Sequence, residues 1–398
     1  MRISTVQSFN TGIDALQRRQ AELAESQERL TTLKRVNKAS DDPAAAARAE
    51  RALAGIVRSE TSQRAVEASR TAMGQTEGAI AEASALMQDA REALVAAGNG
   101  SYSDTERRGV ADRLAHIREQ LFAVANRSDG AGSYLFGGQA ATQPPFRDAP
   151  GGVQFVGTTG QAVTESTTAL PLTADGAAVF LSARTGNGVF ETRAGAGVTQ
   201  ARIDTGSVTD PAALTGSTYS LQFSVAAGVT TYAVLKDGAA TAVTAAPYAA
   251  GKAITVDGMS VTVTGAPANG DSFGIAPSSA DLSIFDVLDR SIQQLSTAGR
   301  TSAQVTQAND FGLRDIDAAL GNVLSARSAA GQTLARIDAE TARLADLKLV
   351  GQTERSKAED LDMAEAISEF QTRQTGYDAA LKSYSMVQRM SLFSYLNG

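Results

Sequence analysis

His116 is the only histidine in a chain of 398 residues that contains no cysteine, so there is no thiolate nucleophile and no cysteine-ligated metal, and imidazole chemistry is confined to one residue. A Ser-His-Asp arrangement would have to be built around His116. That residue lies between Leu114 and Ile117 in a helical pattern, with no glycine-rich nucleophile turn beside it, and a solvated or packing role suits it better. The stretch AAPYAAGKA, residues 245–253, glances at a phosphate loop, but Ala246 stands where the first glycine is needed and Ala253 where the magnesium-ligating hydroxyl is needed. A strand connection is the better account. Asp360, Asp362 and Glu365 form an acidic cluster without metal-loop spacing, and they suit a helix amino terminus, where the dipole favours negative charge. Paired carboxylates for hydrolysis stay open, because separation in space is not written in the sequence. Phe370, Tyr377 and Tyr384 recur every seven residues; without a basic patch among them they suit a buried helix–helix seam rather than base stacking.

Those residues must be positioned by helices. From Ile3 to Val36 a thin apolar stripe of Ile13, Leu16, Leu23 and Leu30 follows helical spacing, too narrow to be stable without a partner face. The step at Ser40, Asp41, Asp42 and Pro43 then supplies acceptors for unpaired amides and a proline suited to a first helical turn. It reads as a joint between two helices. Beyond it, Val66, Met73, Ile80, Met87 and Leu94 recur by seven beside a seam of Ser69, Thr76, Ala83, Ala90 and Ala97, large against small as in a close-packed bundle. Unbroken from Pro43 to Ala97, such a helix spans about 80 Å. Ser103 with Glu106 is a capping box that opens a further helix carrying Val110, Leu114, Ile117, Leu121 and Val124, and the chain leaves it through GSYLFGG. Near the other end, Val323, Ala330, Ile337 and Leu344 repeat by seven with Leu320 and Leu334 alongside. Gly351 is expected to interrupt there, with restarts at Ser356 or Asp362. A terminal helix follows, in which Ile367 and Leu381 neighbour the aromatic stripe.

The middle is built from other material. Eight of the nine prolines lie between residues 141 and 280, and Thr, Val and Gly replace the helix formers. Tyr219, Leu221, Phe223 and Val225 alternate as a strand, residues 231–235 form another ending at Lys236-Asp237-Gly238, and Asp257-Gly258 is a hairpin turn. The expected fold is mainly α with an inserted β domain: an elongated antiparallel helical bundle made by both ends of the chain. The expected parts are terminal helices at 1–40 and 356–398, a helical rod at 41–140 and 281–355, and a β-rich outer domain at 141–280.

A formal charge of −7 without a lysine or arginine cluster gives no footprint for nucleic acid. Nothing approaches the roughly 18 apolar residues of a membrane span, and MRISTVQSFNTG lacks the apolar run of a cleavable signal.

The opening MRIST, the run QERLTTLKRVNKASDDPAAAARA, the exit GSYLFGG and the close DLDMAEAISEFQTRQTGYDAALKSYSMVQRMSLFSYLNG together resemble the hook-filament junction family, the third hook-associated proteins, of the bacterial flagellin superfamily. The likeness covers roughly the first 140 and last 115 residues, and ANGDSFGI at 268–275 looks like a recurring element of flagellar outer domains. The resemblance implies a non-enzymatic structural adaptor needed for motility and no cofactor. Subunits would form a ring whose terminal helices build an inner tube and whose β domain faces outward. Implied partners are the first hook-associated protein on the hook side, flagellin on the filament side, like subunits, and an export chaperone on the C-terminal helix. The implied place is the extracellular flagellum, reached by type III export without signal cleavage. Ile13, Leu16, Leu23 and Leu30 would then meet Ile367, Phe370, Tyr377, Leu381 and Tyr384 and neighbouring subunits, as a heterologous contact. The nearest alternative is flagellin itself, against which the MRIST opening and SLFSYLNG ending argue. A remoter one is an enzyme with a site in the β domain, which holds no histidine or cysteine and only scattered carboxylates.

Overall fold

Helix-forming composition at both ends and turn-forming composition between them give the element order directly. The computed structural model describes residues 5–139, 142–165 and 168–396, so MRIST apart from Thr5, and the closing residues 397 and 398, lie outside the described residues. Helices are α1 Thr5–Thr32, α2 Pro43–Ala97, α3 Asp104–Ala125, α4 Gly176–Phe180, α5 Ile284–Ser296, α6 Ser302–Glu359 and α7 Met363–Leu396. Between α3 and α5 run strands β1 Phe146–Ala149, β2 Gly152–Phe155, β3 Phe190–Ala194, β4 Ala201–Ile203, β5 Ser207–Val208 and β6 Tyr219–Ala226. They continue with β7 Val229–Lys236, β8 Ala239–Ala240, β9 Ala246–Pro247, β10 Ala253–Val256, β11 Met259–Gly265 and β12 Ser272–Pro277. The mainly helical fold with a central antiparallel β region is the one expected. The chain divides into two compact units, Met1–Arg64 with Glu340–Gly398, and Ala65–Ala339.

In the second unit both heptad seams of α2 are buried: Val66, Met73, Ile80, Met87 and Leu94 on one, Ser69, Thr76, Ala83, Ala90 and Ala97 on the other. Ile80, Met87 and Leu94, with Ala83, Ala90 and Ala97, share one core with Leu114, Ile117 and Leu121 of α3, Phe285 and Leu288 of α5, and Ile316 and Val323 of α6. Each large side chain so buried contributes roughly 1.5–3 kcal/mol. The capping box on α3 forms as read, with the Glu106 amide donating to Ser103 Oγ and the Ser103 amide to the Glu106 carboxylate.

The GSYLFGG exit turns inward, burying Leu135 and Phe136. Gly138 has φ +67°, and a Cβ there would meet Thr158 O, so the turn needs glycine. The segment 146–183, read from sequence as part of the outer β domain, places Phe146 and Phe180 in the helical core. Phe180 stacks edge-on to Phe136 at 4.9 Å between ring centroids and to Phe146 at 5.5 Å, and Phe146 lies 6.0 Å from Phe285.

A separate β core joins Phe190, Ile203, Tyr219, Leu221, Phe223, Val261, Val263, Phe273 and Ile275. Its larger sheet runs β3-β12-β6-β7-β8, with β9 on β7, and its smaller one β10-β11-β4, with β5 on β11. The Asp257-Gly258 hairpin is present, with Val256 opposite Met259 and both turn residues at positive φ. Ala183 and Leu282 exchange both backbone hydrogen bonds, at 3.2 and 3.0 Å, so the chain enters and leaves this core through one narrow neck.

In the first unit, α6 runs through Gly351 without a break, contrary to expectation. A Cβ on Gly351 would lie 2.9 Å from Ile56 Cγ1, so the missing side chain admits α2 rather than ending the helix. The break falls at residues 360–362. There Asp362 Oδ1 accepts from the Ala364 and Glu365 amides at 2.9 and 3.2 Å, so the Asp362 restart forms and the Ser356 one does not.

Candidate assembly surface

Helices α1 and α7 pair antiparallel, and the pairing keeps one register along its described length. Phe9 meets Tyr384 with 5.7 Å between ring centroids, and Gly12 lies beneath the same ring, where a Cβ would be 3.3 Å from Tyr384 Cδ2. Farther along, a Cβ on Gly376 would be 2.8 Å from Arg19 Nη1, and Arg373 Nη1 donates to Glu22 O at 2.8 Å. Two glycines thus let the helices approach under a bulky neighbour, as small residues do at close helix contacts.

The register runs on past the helix ends. Leu33 closes α1 in the left-handed region, φ +58°, and from there the two chains pair as strands around a Lys34–Asp360 bridge. The Arg35 amide donates to Glu359 O at 2.7 Å and the Leu361 amide to Leu33 O at 3.1 Å, so both breaks, one in each half of the chain, are laced to each other. Arg35 fastens the lace: its Nη2 donates to Ala358 O at 2.9 Å and its Nη1 to Asp42 Oδ2 at 3.2 Å.

At the joint, Asp42 caps α2, its Oδ1 accepting from the Ala44 and Ala45 amides at 3.1 and 3.0 Å, and Pro43 occupies the first helical position. The Ala45 amide and then the Arg35 guanidinium hold the Asp42 carboxyl below the usual carboxylate range. Asp41 Oδ2 accepts from the Lys38 and Asn37 amides at 2.9 and 3.0 Å, and those bonds lower its carboxyl likewise. Ser40, expected to accept as well, is exposed and takes part in none of the described hydrogen bonds at the joint.

Of the nine residues singled out for the interface, Ile13, Leu16, Leu23, Leu30, Phe370, Tyr377 and Tyr384 are half-buried, whereas Ile367 and Leu381 are 45% and 41% exposed. The pair covers one side of each stripe and leaves the rest to solvent. Phe9, Gly12, Arg35 and Gly376 were missed. Phe9 lies seven residues before Leu16 and extends the Leu16, Leu23, Leu30 repeat, so its signal was there to be read; a glycine in a helix, or Arg35 in the break beyond α1, carries no signal of what lies opposite. Also unforeseen are Leu347, Leu349 and Val350 of α6, which are 46%, 62% and 59% exposed.

The residues weighed for chemistry go elsewhere. His116 is exposed, its nearest charge Glu119 at 3.7 Å. Asp360 bridges Lys34, and Asp362 caps α7. The loop-like stretch around Lys252 is a strand connection, where Tyr248 Oη donates to Val263 O and Gly265 O at 3.1 and 2.9 Å. No cluster able to hold a metal ion, and no helix long and apolar enough to cross a membrane, occurs among the described residues.

Residues 3–141 match the bacterial flagellin N-terminal helical region and residues 313–396 the bacterial flagellin C-terminal helical region. Residues 194–277 match the D2-like domain of flagellar hook-associated protein 1. Flagellar hook-associated protein 3 of Salmonella typhimurium is 36% identical over 156 residues, 38% of this chain and 48% of that protein. The chain thus aligns with about half the length of that curated relative. Among solved structures, the flagellar junction protein FlgL of Legionella pneumophila superposes with a TM-score of 0.65 at 29% identity, over 70% of this chain and 95% of that one. FlgL of Xanthomonas campestris superposes with a TM-score of 0.68, also at 29% identity, over 76% of this chain and 99% of that one. With flagellin helical regions at both ends and these structures matched along most of its length, the chain belongs to the flagellin superfamily, among the relatives of hook-associated protein 3.

Proposed function

We propose that this protein is a non-enzymatic adaptor subunit of the bacterial flagellum. It forms a ring that joins the hook, through the first hook-associated protein, to the flagellin filament. One observation carries the reading: α1 and α7 form a continuous antiparallel pair whose apolar stripes stay half-open in the single chain, Ile367 and Leu381 most of all. A pair of this kind gains its remaining burial from neighbours, and the same surface presented around a ring gives heterologous contacts that close on themselves. The similarity to junction proteins and the match to a hook-associated protein 1 domain favour the junction over the filament. In this reading the place of action is outside the cell, export precedes folding of the terminal pair without signal cleavage, and a chaperone covers α7 until assembly.

Removing residues from Phe370 onward tests it. Cells carrying only the shortened protein should lose motility and shed unpolymerised flagellin into the medium, while a shortened chain that still supports normal filaments rejects the adaptor reading.

A further inference from the structure

In the second unit, β3, α5 and the start of α6 line a half-open cavity of about 530 Å³, and four of the side chains lining it are arginines. Three of them end in carboxylates. Arg193 pairs with Glu191 at 2.9 Å, Arg314 lies 3.4 Å from Glu191 and 2.9 Å from Asp315, and Arg290 reaches Asp315 at 3.5 Å. Glu191, Arg314 and Asp315 are themselves almost fully buried. The chain of alternating charge therefore uses both buried acids and ends in a cation on each side.

Arg300 is the fourth. It is half-buried, and its described hydrogen bonds go only to carbonyls, Gln294 O and Gln304 O, each at 3.2 Å. Arg107 is a like charge that acts on it, and the Asp104 carboxylate, which accepts from the Gly299 amide at 3.2 Å, is engaged by Arg107. On the far side of Arg193 and Arg290 lies a second hollow with Asp281, Asp286 and Asp289. Asp289 pairs with Arg118 at 2.6 Å, a cation it shares with Asp148; burial raises the Asp286 carboxyl while Arg290 opposes that rise; and Asp281 accepts from Ser279 Oγ at 2.5 Å. None of these acids lines the hollow that Arg300 faces. A guanidinium keeps five donors and a partly buried cation without a counter-ion is unfavourable, so a lining with four arginines against the two acids Glu191 and Asp315 is short of negative charge.

We propose that this cavity is a binding site for a small oxyanion, a phosphate or a carboxylate, held by Arg300 with Arg290. The planar donor fork of arginine matches both groups, and the volume lies within the range of small-molecule sites. The site is independent of the assembly surface and stands or falls without the adaptor reading.

Thermal unfolding of the full-length protein in inorganic phosphate, in succinate and in sodium chloride at matched ionic strength tests the site. A saturable rise in Tm with phosphate, succinate or both, absent with chloride, is expected, and calorimetric titration should give a Kd at least ~10-fold weaker for Arg300→Gln. Whatever Arg300→Gln costs without anion through its bonds to Gln294 O and Gln304 O, the anion-dependent part of the rise in Tm should be lost in it; a purely structural arginine would lower Tm equally with and without anion. Which of the two anions binds tells phosphate from carboxylate. No rise with either anion, or a rise that survives Arg300→Gln unchanged, overturns the site.

Discussion

At Asp42 one carboxylate answers three donors, the Ala44 and Ala45 amides and the Arg35 guanidinium, and Asp41 beside it answers two more. All five bonds are stronger to the ionised acid, so both carboxyls have depressed values in the folded chain. Their stabilisation is complete above the ordinary carboxylate value of about 4 and is lost as pH falls through the depressed folded values. Amide protection at Ala44 and Ala45, corrected for intrinsic exchange, should therefore collapse at acid pH before that of the Met73–Ile80 seam. Joint and seam losing protection together at every pH would refute this. The carboxylates and Pro43 were legible because capping chemistry is local. Arg35 was not, since its partner Ala358 lies on the other half of the chain.

At the scale of elements, three hairpin turns share one geometry. Asp257-Gly258, Asp237-Gly238 and Ala227-Gly228 each join paired strands through two residues at positive φ. Aspartate tolerates that conformation and alanine does not, so Ala227 at φ +49° carries strain that asparagine would relieve. Ala227→Asn should stabilise the β core by about 0.5–1 kcal/mol, read as a higher denaturant midpoint at unchanged m; a lower midpoint would show that the turn does not want the αL residue. Turns with Asp-Gly were visible in the sequence for this reason, and Ala-Gly was not. Long heptad seams were equally visible, because Met73 or Met87 is buried by neighbours on the same repeating face. Gly351 misled because glycine both ends helices and admits close neighbours, and only the presence of Ile56 decides between those uses.

For the molecule as a whole, two hydrophobic clusters within the second unit make the β core separable in principle. Thr185 and Ser279 are hydrogen-bonded across the neck at 2.9 Å, so a short Gly/Ser linker should replace residues 187–278 without stretching the chain. Arg314→Met belongs in the same variant, since losing Glu191 would otherwise leave that guanidinium with one buried partner fewer. Such a protein should keep its helical circular dichroism and unfold cooperatively, whereas loss of helix would mean that the β core is required to hold α5 and α6. Phe146 and Phe180 belong to the part that stays. Proline and glycine content alone assigned them to the inserted β domain, because composition marks where the chain turns and not which core its aromatics enter.

The lacing of residues 33–35 to 359–361 also has a mechanical side. Its two backbone hydrogen bonds lie across the same short antiparallel step at the base of the α1–α7 pair. Force drawing both terminal segments away together along the pair is shared by the two bonds and by Arg35 at once. Force prising α1 from α7 at the tip instead opens the Phe9–Tyr384 contact first and reaches the lace last. Under such a load the pair would yield and recover from the Phe9–Tyr384 contact inward while the two halves of the chain stay fastened at the joint.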